Sequence, residues 1–548
     1  NNRQLSDNNR IRNIPQPAGR GNILDRKGKI LAGSRLAHSV AVWRNTPNQA
    51  NWPTTLKLLS ETLNIPEAEI QKRLEQTNYD SPFLRVIAHN ITSEQVTRLT
   101  EYKNQLQGVE VDVETWRDYP NKQLAAHVLG YVGEINHEEL KKRKDSGYKT
   151  GDVVGKMGIE NVFDLQLRGK PGNRQIEIDG RGKVLRVLQE KPAELGKDMQ
   201  LTLDLDLQKA AELALGERKG AIVVLNPNNG EVYAMVSRPA FDPNWFTTQV
   251  DKKIWQQLQR QQFPFINRAL QGYPPASTFK IVTTTAGLES GKFSPSSILG
   301  TYPYLSAGGT QFWDWNKAGF GSLGFVGALA MSSNTFFGQI GLGTGEKPLI
   351  NWARKFGFGE KTGIELSAQE AHGFIADDAW KRKNLNEGWH VGDTINTSIG
   401  QGFLQTSPLQ VAVMFSVVAN GGYRVQPHLL KASDAAQNKR ESLSMKPETI
   451  RVLQEGLRAV VSEGTGKALN VPTLPPVAGK SGTAEDPPRE SHAWFGAYAP
   501  YDKPEIVVVA FAENSGGGGG KVAAPMVRQV MEAYFKSEKL VTAASSRN

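Results

Sequence analysis

The sequence has 548 residues, a formal net charge of +10 and no cysteine, which excludes disulfides, thiol catalysis and cysteine-ligated zinc. This length is enough for roughly two to four domains. The positive charges are dispersed, so they are compatible with an anionic surface such as a membrane or cell-wall polymer and give no reason to expect a nucleic-acid partner. No apolar run approaches the length that spans a bilayer. No signal peptide is visible, and the sequence opens on Asn1-Asn2-Arg3 rather than on Met.

The N-terminal third, residues 1–197, is predicted to hold short, mixed helices and strands without a reaction signature. Leu56, Leu59 and Leu63 recur at helical spacing, whereas residues 109–113 alternate with the period of a strand. In chain order the predicted elements are a hairpin turning at Lys27-Gly28, helices over 54–76 and 92–106, a strand over 109–113, a helix over 123–131 that ends at Gly130, a short helix over 161–167, and a strand–turn–strand over 175–187 that turns at Asp179-Gly180-Arg181-Gly182.

The pattern changes near residue 198, where longer and more regular elements begin. They are predicted as a strand over 200–204, a helix over 207–215, a hairpin of 221–225 with 231–236, mainly helices over 277–470, strands over 493–499 and 505–512, a glycine loop over 516–520 and a last helix over 524–535. Strands at both ends of a long helical middle predict an antiparallel sheet that is covered by helices. The predicted fold class is therefore α+β, with domains at 1–197 and 198–537 and a tail at 538–548.

One stretch, Pro274-Pro275-Ala276-Ser277-Thr278-Phe279-Lys280, places two prolines before an apolar run. Proline is tolerated just before or at the start of a helix and little further in, so we expect a helix to begin near Ser277. Lys280 would then lie one turn along on the same face as the serine. A hydroxyl beside a buried amine is a way to activate a serine nucleophile without a histidine.

Two further motifs, Ser332-Ser333-Asn334 and Lys480-Ser481-Gly482, follow in the same predicted domain. Each pattern also occurs elsewhere, so no single match is specific. The other copies are Ser146–Lys149, Ser546-Arg547-Asn548, Lys149-Thr150-Gly151 and Lys361-Thr362-Gly363. Context separates them, because Ser146 lies in a charged, non-periodic segment and Lys361 in a turn-rich loop, whereas Lys480 precedes a predicted strand pair.

The ordered set Ser-x-x-Lys, Ser-x-Asn and Lys-Ser-Gly resembles that of the penicillin-binding and serine β-lactamase superfamily. The resemblance covers roughly residues 198–537 and includes Gly400-Gln401-Gly402 between the motifs and His492-Ala493-Trp494-Phe495-Gly496 after the last. In the N-terminal third, 20–26 and 155–160 resemble the non-catalytic pedestal of class B penicillin-binding proteins. The spacing around 151–156 is closer to the elongation type, penicillin-binding protein 2, than to the septal type.

The resemblance implies the site residues. The catalytic side chains would be Ser277, Lys280, Ser332 and Lys480, and the substrate-binding residues Asn334, Ser481, Gly482 and Thr483. Lys280 would be the base that accepts the Ser277 proton, an effect worth about 10²–10⁴ in rate. Ser332 would relay a proton to the leaving amine while Lys480 holds the local positive charge. The backbone N–H groups of Ser277 and Thr483 would form the oxyanion hole.

The same resemblance implies a peptidoglycan D,D-transpeptidase. Its substrate would be the D-Ala-D-Ala end of a stem peptide, and β-lactams would acylate the same serine. Implied partners are a SEDS-family glycosyltransferase, proteins of the elongation complex and the membrane, through an N-terminal anchor preceding Asn1, with the catalytic domain outside the cytoplasm. No cofactor is expected. Some relatives bind zinc near Asp314, but with Phe320 where a histidine is expected and no cysteine, we predict no metal here.

Alternatives of other classes remain open at this point. A class A β-lactamase would carry a Glu-x-x-Leu-Asn segment, and none lies between 335 and 479. A membrane-bound β-lactam sensor would share the three motifs but not the pedestal. A septal-type transpeptidase and a D,D-carboxypeptidase, in which water replaces the acceptor amine, use the same residues.

Overall fold

The computed structural model describes the backbone of residues 11–16, 18–75, 84–178, 184–247, 250, 252–431 and 439–545. In this described part of the chain, no helix combines the length and the hydropathy that crossing a membrane requires. The turn predicted at Asp179-Gly180-Arg181-Gly182 and the motif copy at 546–548 lie outside the described residues.

The N-terminal region is a pedestal of short strands and helices, as predicted. Its strands are β1 (Ile11–Gln16), β2 (Ile23–Leu24), β3 (Ile30–Trp43), β4 (Leu84–Ile91), β5 (Val109–Asp118), β6 (Val132–Glu134), β7 (Val153–Gly155), β8 (Gly172–Ile178), β9 (Val184–Lys191) and β10 (Met199–Gln200). Its α-helices are α1 (Trp52–Leu63), α2 (Glu67–Glu75), α3 (Ser93–Glu101), α4 (Ala126–Leu129), α5 (His137–Lys142), α6 (Gly158–Val162) and α7 (Asp164–Leu167), with 3-10 turns at Thr46–Asn48 and Lys144–Ser146.

Two sheets organise the pedestal. One has the order β1-β8-β9, and the other has the order β10-β2-β3-β4, with β5 also pairing with β3. Helices α1 to α3 cover β3 and β4 around Val40, Leu56 and Leu59, which are fully or almost fully buried. The helical spacing over 54–76 corresponds to two helices, α1 and α2, because Asn64 adopts a left-handed conformation with φ 57° and ends α1 before Pro66. The short helix predicted over 161–167 is likewise two helices, α6 and α7.

Buried ion pairs join the two pedestal segments that carried the family resemblance. Arg20 Nε donates to one Glu160 carboxylate oxygen at 2.6 Å, and Arg117 Nε donates to the other at 2.6 Å. The Glu160 side chain is fully buried, and these guanidinium groups hold its pKa below its usual range against the opposing effect of burial. The Asp25 carboxylate accepts a hydrogen bond from Leu205 N at 3.0 Å and so ties the pedestal to the C-terminal domain.

The C-terminal domain is larger and more regular. Its strands are β11 (Gly220–Leu225), β12 (Val232–Arg238), β13 (Ile298–Gly300), β14 (Tyr304–Ala307), β15 (Thr310–Trp313), β16 (Ser322–Gly324), β17 (Phe374–Ile375), β18 (Leu404–Gln405), β19 (Tyr423–Val425), β20 (Arg440–Ser442), β21 (Ala478–Asp486), β22 (Arg489–Ala499) and β23 (Ile506–Ala512). Its α-helices are α8 (Leu205–Leu215), α9 (Lys252–Arg260), α10 (Lys280–Glu289), α11 (Phe325–Met331), α12 (Asn334–Thr344), α13 (Glu346–Lys355), α14 (Asp378–Leu385), α15 (Val391–Ser398), α16 (Pro408–Ala419), α17 (Pro447–Ser462) and α18 (Gly519–Ser545). It also has 3-10 turns at Pro243–Phe246, Arg268–Leu270, Ala276–Phe279 and Lys467–Leu469.

The predicted antiparallel sheet is confirmed and has the strand order β12-β11-β23-β22-β21. Helices α8 and α18 pack on one face, and α16, which is buried along its whole length, packs on the other. Because apolar side chains cover both faces, β11 and β23 read as continuous apolar runs. Strand β21 is the edge of the sheet, so one side of its backbone pairs with no other described strand.

Two predicted boundaries in this domain are wrong. The strand predicted over 200–204 is shorter, because β10 covers Met199–Gln200, Leu201 continues only as an isolated bridge to Leu430, and Asp204 turns away to cap α8 through its side chain. The predicted glycine loop at 516–520 ends early, because α18 begins at Gly519.

Candidate active site

A tight turn presents the predicted nucleophile. Residues Ala276–Phe279 form a 3-10 turn, and the α-helix α10 begins only at Lys280, three residues later than expected. Ala276 has φ 50°, a left-handed conformation that is uncommon for a residue with a Cβ and recurs at functional sites. This turn leaves Ser277 half-buried while Lys280 is completely buried.

Hydrogen bonds from distant segments hold this turn in place. The Ala276 N–H donates to Gly400 O at 2.9 Å, and the Trp494 indole N–H donates to Pro274 O at 2.9 Å. The Thr278 hydroxyl donates to Pro275 O at 2.6 Å. The turn is therefore fixed by the loop after α15 and by β22, as well as by its own side chain.

The Lys280 amine meets the second motif. Its Nζ donates to Asn334 Oδ1 at 2.7 Å and to Ser332 O at 2.8 Å, and it lies 3.3 Å from Ser332 Oγ. The Ser277 hydroxyl has no hydrogen-bond partner among the described residues, so its lone pairs are available to a substrate. The structure therefore brings the first two motifs together through the lysine rather than through the nucleophile itself.

The third motif completes the cluster. Lys480 Nζ donates to Ser332 Oγ at 2.8 Å, so the Ser332 hydroxyl lies between the two lysine amines. Ser332 is buried and has φ 56°, a second left-handed residue beside the reacting groups. It ends α11 and precedes Ser333, whose side chain caps α12 by accepting from Phe336 N.

Burial makes the two amines easier to deprotonate. It lowers the pKa of Lys280 to about 7, while the Asp314 carboxylate acts in the opposite direction. Burial also lowers the pKa of Lys480 well below its usual range, and the nearby Lys280 ammonium adds to this effect. The pair therefore carries less than its full two charges near neutral pH, which is the condition for one amine to accept a proton.

Strand β21 carries the remaining predicted residues along the edge of the sheet. Gly482 packs against the nucleophile turn so closely that an added Cβ would lie 3.2 Å from Pro275 O. Thr483 is exposed, whereas Ser481 is buried and its hydroxyl lies 2.7 Å from the Thr465 hydroxyl. Lys480, Ser481 and Thr483 thus offer an amine and hydroxyls at the edge next to Ser277.

The other motif copies are not part of this cluster. Ser146 is exposed at the end of a 3-10 turn in the pedestal. Lys361 lies in the predicted loop, where its amine donates to Ser367 O at 2.7 Å.

Three positions that the sequence analysis did not assign to the site help to build it. Gly400 has φ 76°, and an added Cβ would fall 1.9 Å from Ala276 O. Thr465 holds Ser481, and the buried Asp314 accepts from Ser333 Oγ at 2.7 Å and from Thr335 N at 3.0 Å. Gly400 was noted only as part of a short segment between the motifs that resembles the family. No local sequence signal pointed to the contacts that Asp314 and Thr465 make.

The aromatic residues near the motifs fall into two groups. Trp494 and Phe495 are fully buried core residues, whereas Trp313 and Trp315 are 46% and 59% exposed. The described residues contain no group of three or more histidine and acidic side chains arranged to hold a metal. Asp314 is instead used as a hydrogen-bond acceptor, and the absence of zinc stays a prediction.

Comparison with known proteins agrees with this geometry. Residues 220–532 match the penicillin-binding protein transpeptidase domain, and residues 15–201 match the penicillin-binding protein dimerisation domain. The peptidoglycan D,D-transpeptidase MrdA of Haemophilus influenzae is 36% identical over 97% of this chain and 86% of its own length. MrdA of Escherichia coli K12 is 31% identical over 96% of this chain and 88% of its own length.

Solved structures are similar along the same length. Penicillin-binding protein 2 of Helicobacter pylori, in a complex with MreC, has a TM-score of 0.87 and 28% identity over 97% of this chain and 99% of its own. A peptidoglycan synthase complex that coordinates polymerization and crosslinking contains a chain with a TM-score of 0.78 and 34% identity, covering 96% of this chain and 91% of that one. The chain therefore belongs to the penicillin-binding proteins, as a peptidoglycan D,D-transpeptidase of the class B, penicillin-binding protein 2 type that serves cell-wall elongation.

Proposed function

We propose that Ser277 is the nucleophile of this transpeptidase and that Lys280 is its general base. The observation that carries the proposal is the Ser332 hydroxyl, which lies 2.8 Å from Lys480 Nζ and 3.3 Å from Lys280 Nζ. One hydroxyl between two buried amines provides a path by which a proton can move without meeting bulk water. Ser277, one turn from Lys280 and half-buried, is the hydroxyl that a substrate reaches.

Acylation then follows from the proton path. Ser277 Oγ attacks the carbonyl carbon of the penultimate D-Ala while its proton passes to the neutral Lys280 amine. The proton continues through Ser332 to the nitrogen of the departing D-Ala as the C–N bond breaks. Because burial lowers the pKa of Lys280 to about 7, a large fraction of the amine is neutral at physiological pH.

The edge of the sheet supplies the oxyanion hole and the anchor for the substrate. The free side of β21 faces the nucleophile turn, so the N–H of Thr483 and the N–H of Ser277 would together bind the developing oxyanion. Removing one such donor typically costs about 10²–10³ in rate. The terminal carboxylate of the stem peptide would bind at Lys480, Ser481 and Thr483, with Gly482 giving close approach, and Asn334 would bind the substrate amide.

The second half-reaction decides the product. An amine from a neighbouring stem peptide attacks the acyl-enzyme and forms the cross-link, whereas attack by water would give a carboxypeptidase. β-Lactams would acylate Ser277 and leave a stable adduct, because the described residues that contact Lys280, Ser332 and Lys480 include no carboxylate that could serve as a base for hydrolysis. This argues for a transpeptidase that is inhibited by β-lactams rather than for a β-lactamase.

We also infer the setting of the reaction. The relatives above include a complex with MreC and a synthase complex that couples polymerization to crosslinking, which supports a SEDS-family glycosyltransferase and elongation-complex proteins as partners. The catalytic domain, assigned to 198–537, would lie outside the cytoplasm above a single membrane anchor that precedes Asn1. Residues 1–197 would be the pedestal between them, and 538–548 a tail.

Labelling with a fluorescent penicillin tests the nucleophile. We expect Ser277→Ala to abolish the covalent adduct and Ser146→Ala, which changes the other Ser-x-x-Lys copy, to leave it intact. Mass spectrometry of the wild-type adduct should locate it on the peptide that contains Ser277 and show a long lifetime. Persistent labelling of Ser277→Ala, or rapid turnover of the wild-type adduct, would refute the proposal.

A stem-peptide donor with an added amine tests the reaction itself. Cross-linked product should form in competition with hydrolysed donor. If only hydrolysis is seen at every acceptor concentration, the carboxypeptidase alternative is favoured.

A further inference from the structure

The segment Trp313-Asp314-Trp315 passes directly over the second motif. Asp314 points inward and is completely buried, where it accepts hydrogen bonds from Ser333 and Thr335. The two flanking tryptophans therefore point outward. The buried carboxylate thus fixes two indole rings at the rim of the active site.

Contacts on both sides hold these rings in place despite their exposure. Trp313 pairs with Tyr304 on the neighbouring strand, with ring centroids 4.8 Å apart. The Trp315 indole N–H donates to Met331 O at 2.9 Å, immediately before Ser332. Because the rings are already held in place, a ligand that binds them would cost little side-chain entropy. Such rigid aromatic side chains are typical of binding surfaces.

Trp313 is joined to the proposed base through one side chain. The Asn334 amide donates from Nδ2 to Trp313 O at 3.2 Å and accepts at Oδ1 from Lys280 Nζ at 2.7 Å. The backbone of Trp313 is therefore one side chain away from the Lys280 amine, and its exposed ring lies at the rim of the same cluster.

The Trp313 face already attracts a cation. The Lys317 ammonium lies 4.2 Å from the ring centroid, on an exposed side chain that is free to move away. A cation over an indole face is attracted by the ring quadrupole. The acceptor in transpeptidation also arrives as an ammonium ion, and the buried lysines repel it whenever they are protonated, so a neutral surface that attracts cations is what it needs.

Resting on the proposed function above, we propose that the Trp313 ring is the binding surface for the acceptor ammonium and that Lys317 occupies it in the absence of acceptor. The acceptor displaces Lys317, gives one proton to the neutral Lys280 amine and becomes a free amine. Its nitrogen then attacks the acyl carbonyl carbon, so the N–C bond forms and the C–Oγ bond to Ser277 breaks. A second proton from the nitrogen returns to Ser277 Oγ, and the proton on Lys280 is released to solvent.

The test measures the ratio of aminolysed to hydrolysed product from one donor, because this ratio does not depend on how fast acylation occurs. Two acceptors are compared at a concentration well below saturation: D-alanine amide, which is largely an ammonium ion at the assay pH, and hydroxylamine, which is uncharged. For Trp313→Ala we expect the ratio to fall about 3- to 30-fold with D-alanine amide, the range of one cation–π contact, and to change little with hydroxylamine. Trp255→Ala is the matched control, since Trp255 is 48% exposed on α9 and should leave both ratios unchanged.

A second variant tests the competition. Lys317→Met removes the resident cation while keeping the length of the side chain, so the ratio with D-alanine amide should rise about two- to fivefold. The proposal is overturned if Trp313→Ala leaves the ratio unchanged, lowers it equally for both acceptors, or if Lys317→Met does not raise it. Failure of the proposed function would look different, because Ser277→Ala would then still form both products from the same donor.

Discussion

The role of Lys280 as base predicts a specific pH dependence of acylation. Only the neutral amine can accept the Ser277 proton, and burial lowers the pKa of Lys280 to about 7. The neutral fraction is then about one tenth at pH 6, about half at pH 7 and about nine tenths at pH 8. The acylation rate should therefore fall about fivefold from pH 7 to 6, rise less than about twofold from 7 to 8, and stay level above that.

The perturbation that isolates this effect is Lys280→Arg. A guanidinium stays protonated at every usable pH, so acylation should slow by about 10²–10⁴ and the step near pH 7 should disappear. Lys292→Arg is the control, because Lys292 lies just beyond the same helix and donates to Thr344 O at 3.2 Å, away from the cluster. Its pH profile should match that of the wild type.

The assay is the second-order rate of labelling by a fluorescent penicillin between about pH 5.5 and 9.5, with the folded state checked by thermal melting at each end. A rate that climbs about tenfold per pH unit up to 9.5 would mean that the base has an unperturbed lysine pKa. A flat profile, or a Lys280→Arg variant that keeps the step near pH 7, would show that another group accepts the proton. Either result refutes the assignment.

Three further substitutions test how the site is assembled. Ser332→Gly keeps the left-handed backbone but removes the hydroxyl that lies between the two amines. Penicillin labelling should therefore slow by about 10² or more, while the melting temperature stays nearly unchanged. Labelling at the wild-type rate would exclude the proton relay. Gly400→Ala places a Cβ 1.9 Å from a carbonyl oxygen of the nucleophile turn and should abolish labelling. Gly421→Ala is the control, because Gly421 has φ 83° with open space around it and should lose only about 1 kcal/mol of stability. Equal loss of labelling in the two variants would mean that backbone strain alone, and not the contact with the turn, is responsible. Thr465→Val removes the hydroxyl beside Ser481 and should weaken binding of the substrate carboxylate about tenfold. The KM for the stem-peptide donor should rise with little change in kcat. A lower kcat at constant KM would contradict that role.

Local signals account for the parts of the fold that the sequence predicted well. The hairpin of β11 and β12 follows from two apolar runs that flank Asn226-Pro227-Asn228-Asn229-Gly230. Asparagine, proline and glycine are the residue types that favour a turn. By contrast, β13 and β16 are three residues long and pair Ile298 with Gly324, so no local period marks them within a region predicted as mainly helical. Pairing between short, distant segments is decided by the packing around them.

In the candidate site, too, some features could be predicted from local sequence and others could not. The residue types and order of the three motifs predicted Ser277, Ser332 and Lys480 as site residues, because the chemistry restricts such positions to a few kinds of side chain. The left-handed backbone at Ala276 and Ser332 was not predictable, since neither residue is the glycine that normally marks such a conformation. Contacts such as Thr465 with Ser481 depend on where two distant segments meet, and a single sequence does not encode that meeting locally.

The active site concentrates features that oppose folding. Two lysines are buried next to each other, and two residues with a Cβ adopt left-handed conformations that cost about 1–3 kcal/mol each. The surrounding structure offsets this cost, because β22, α12 and the Gly400 loop all fix the strained segments through hydrogen bonds or packing. Since the strain lies in the residue before Ser277 and in Ser332 itself, it positions the hydroxyls before the donor arrives. The acceptor side is built differently, from exposed rings and a movable lysine, so the acylating half of the site is rigid and the half that receives the amine is open to exchange.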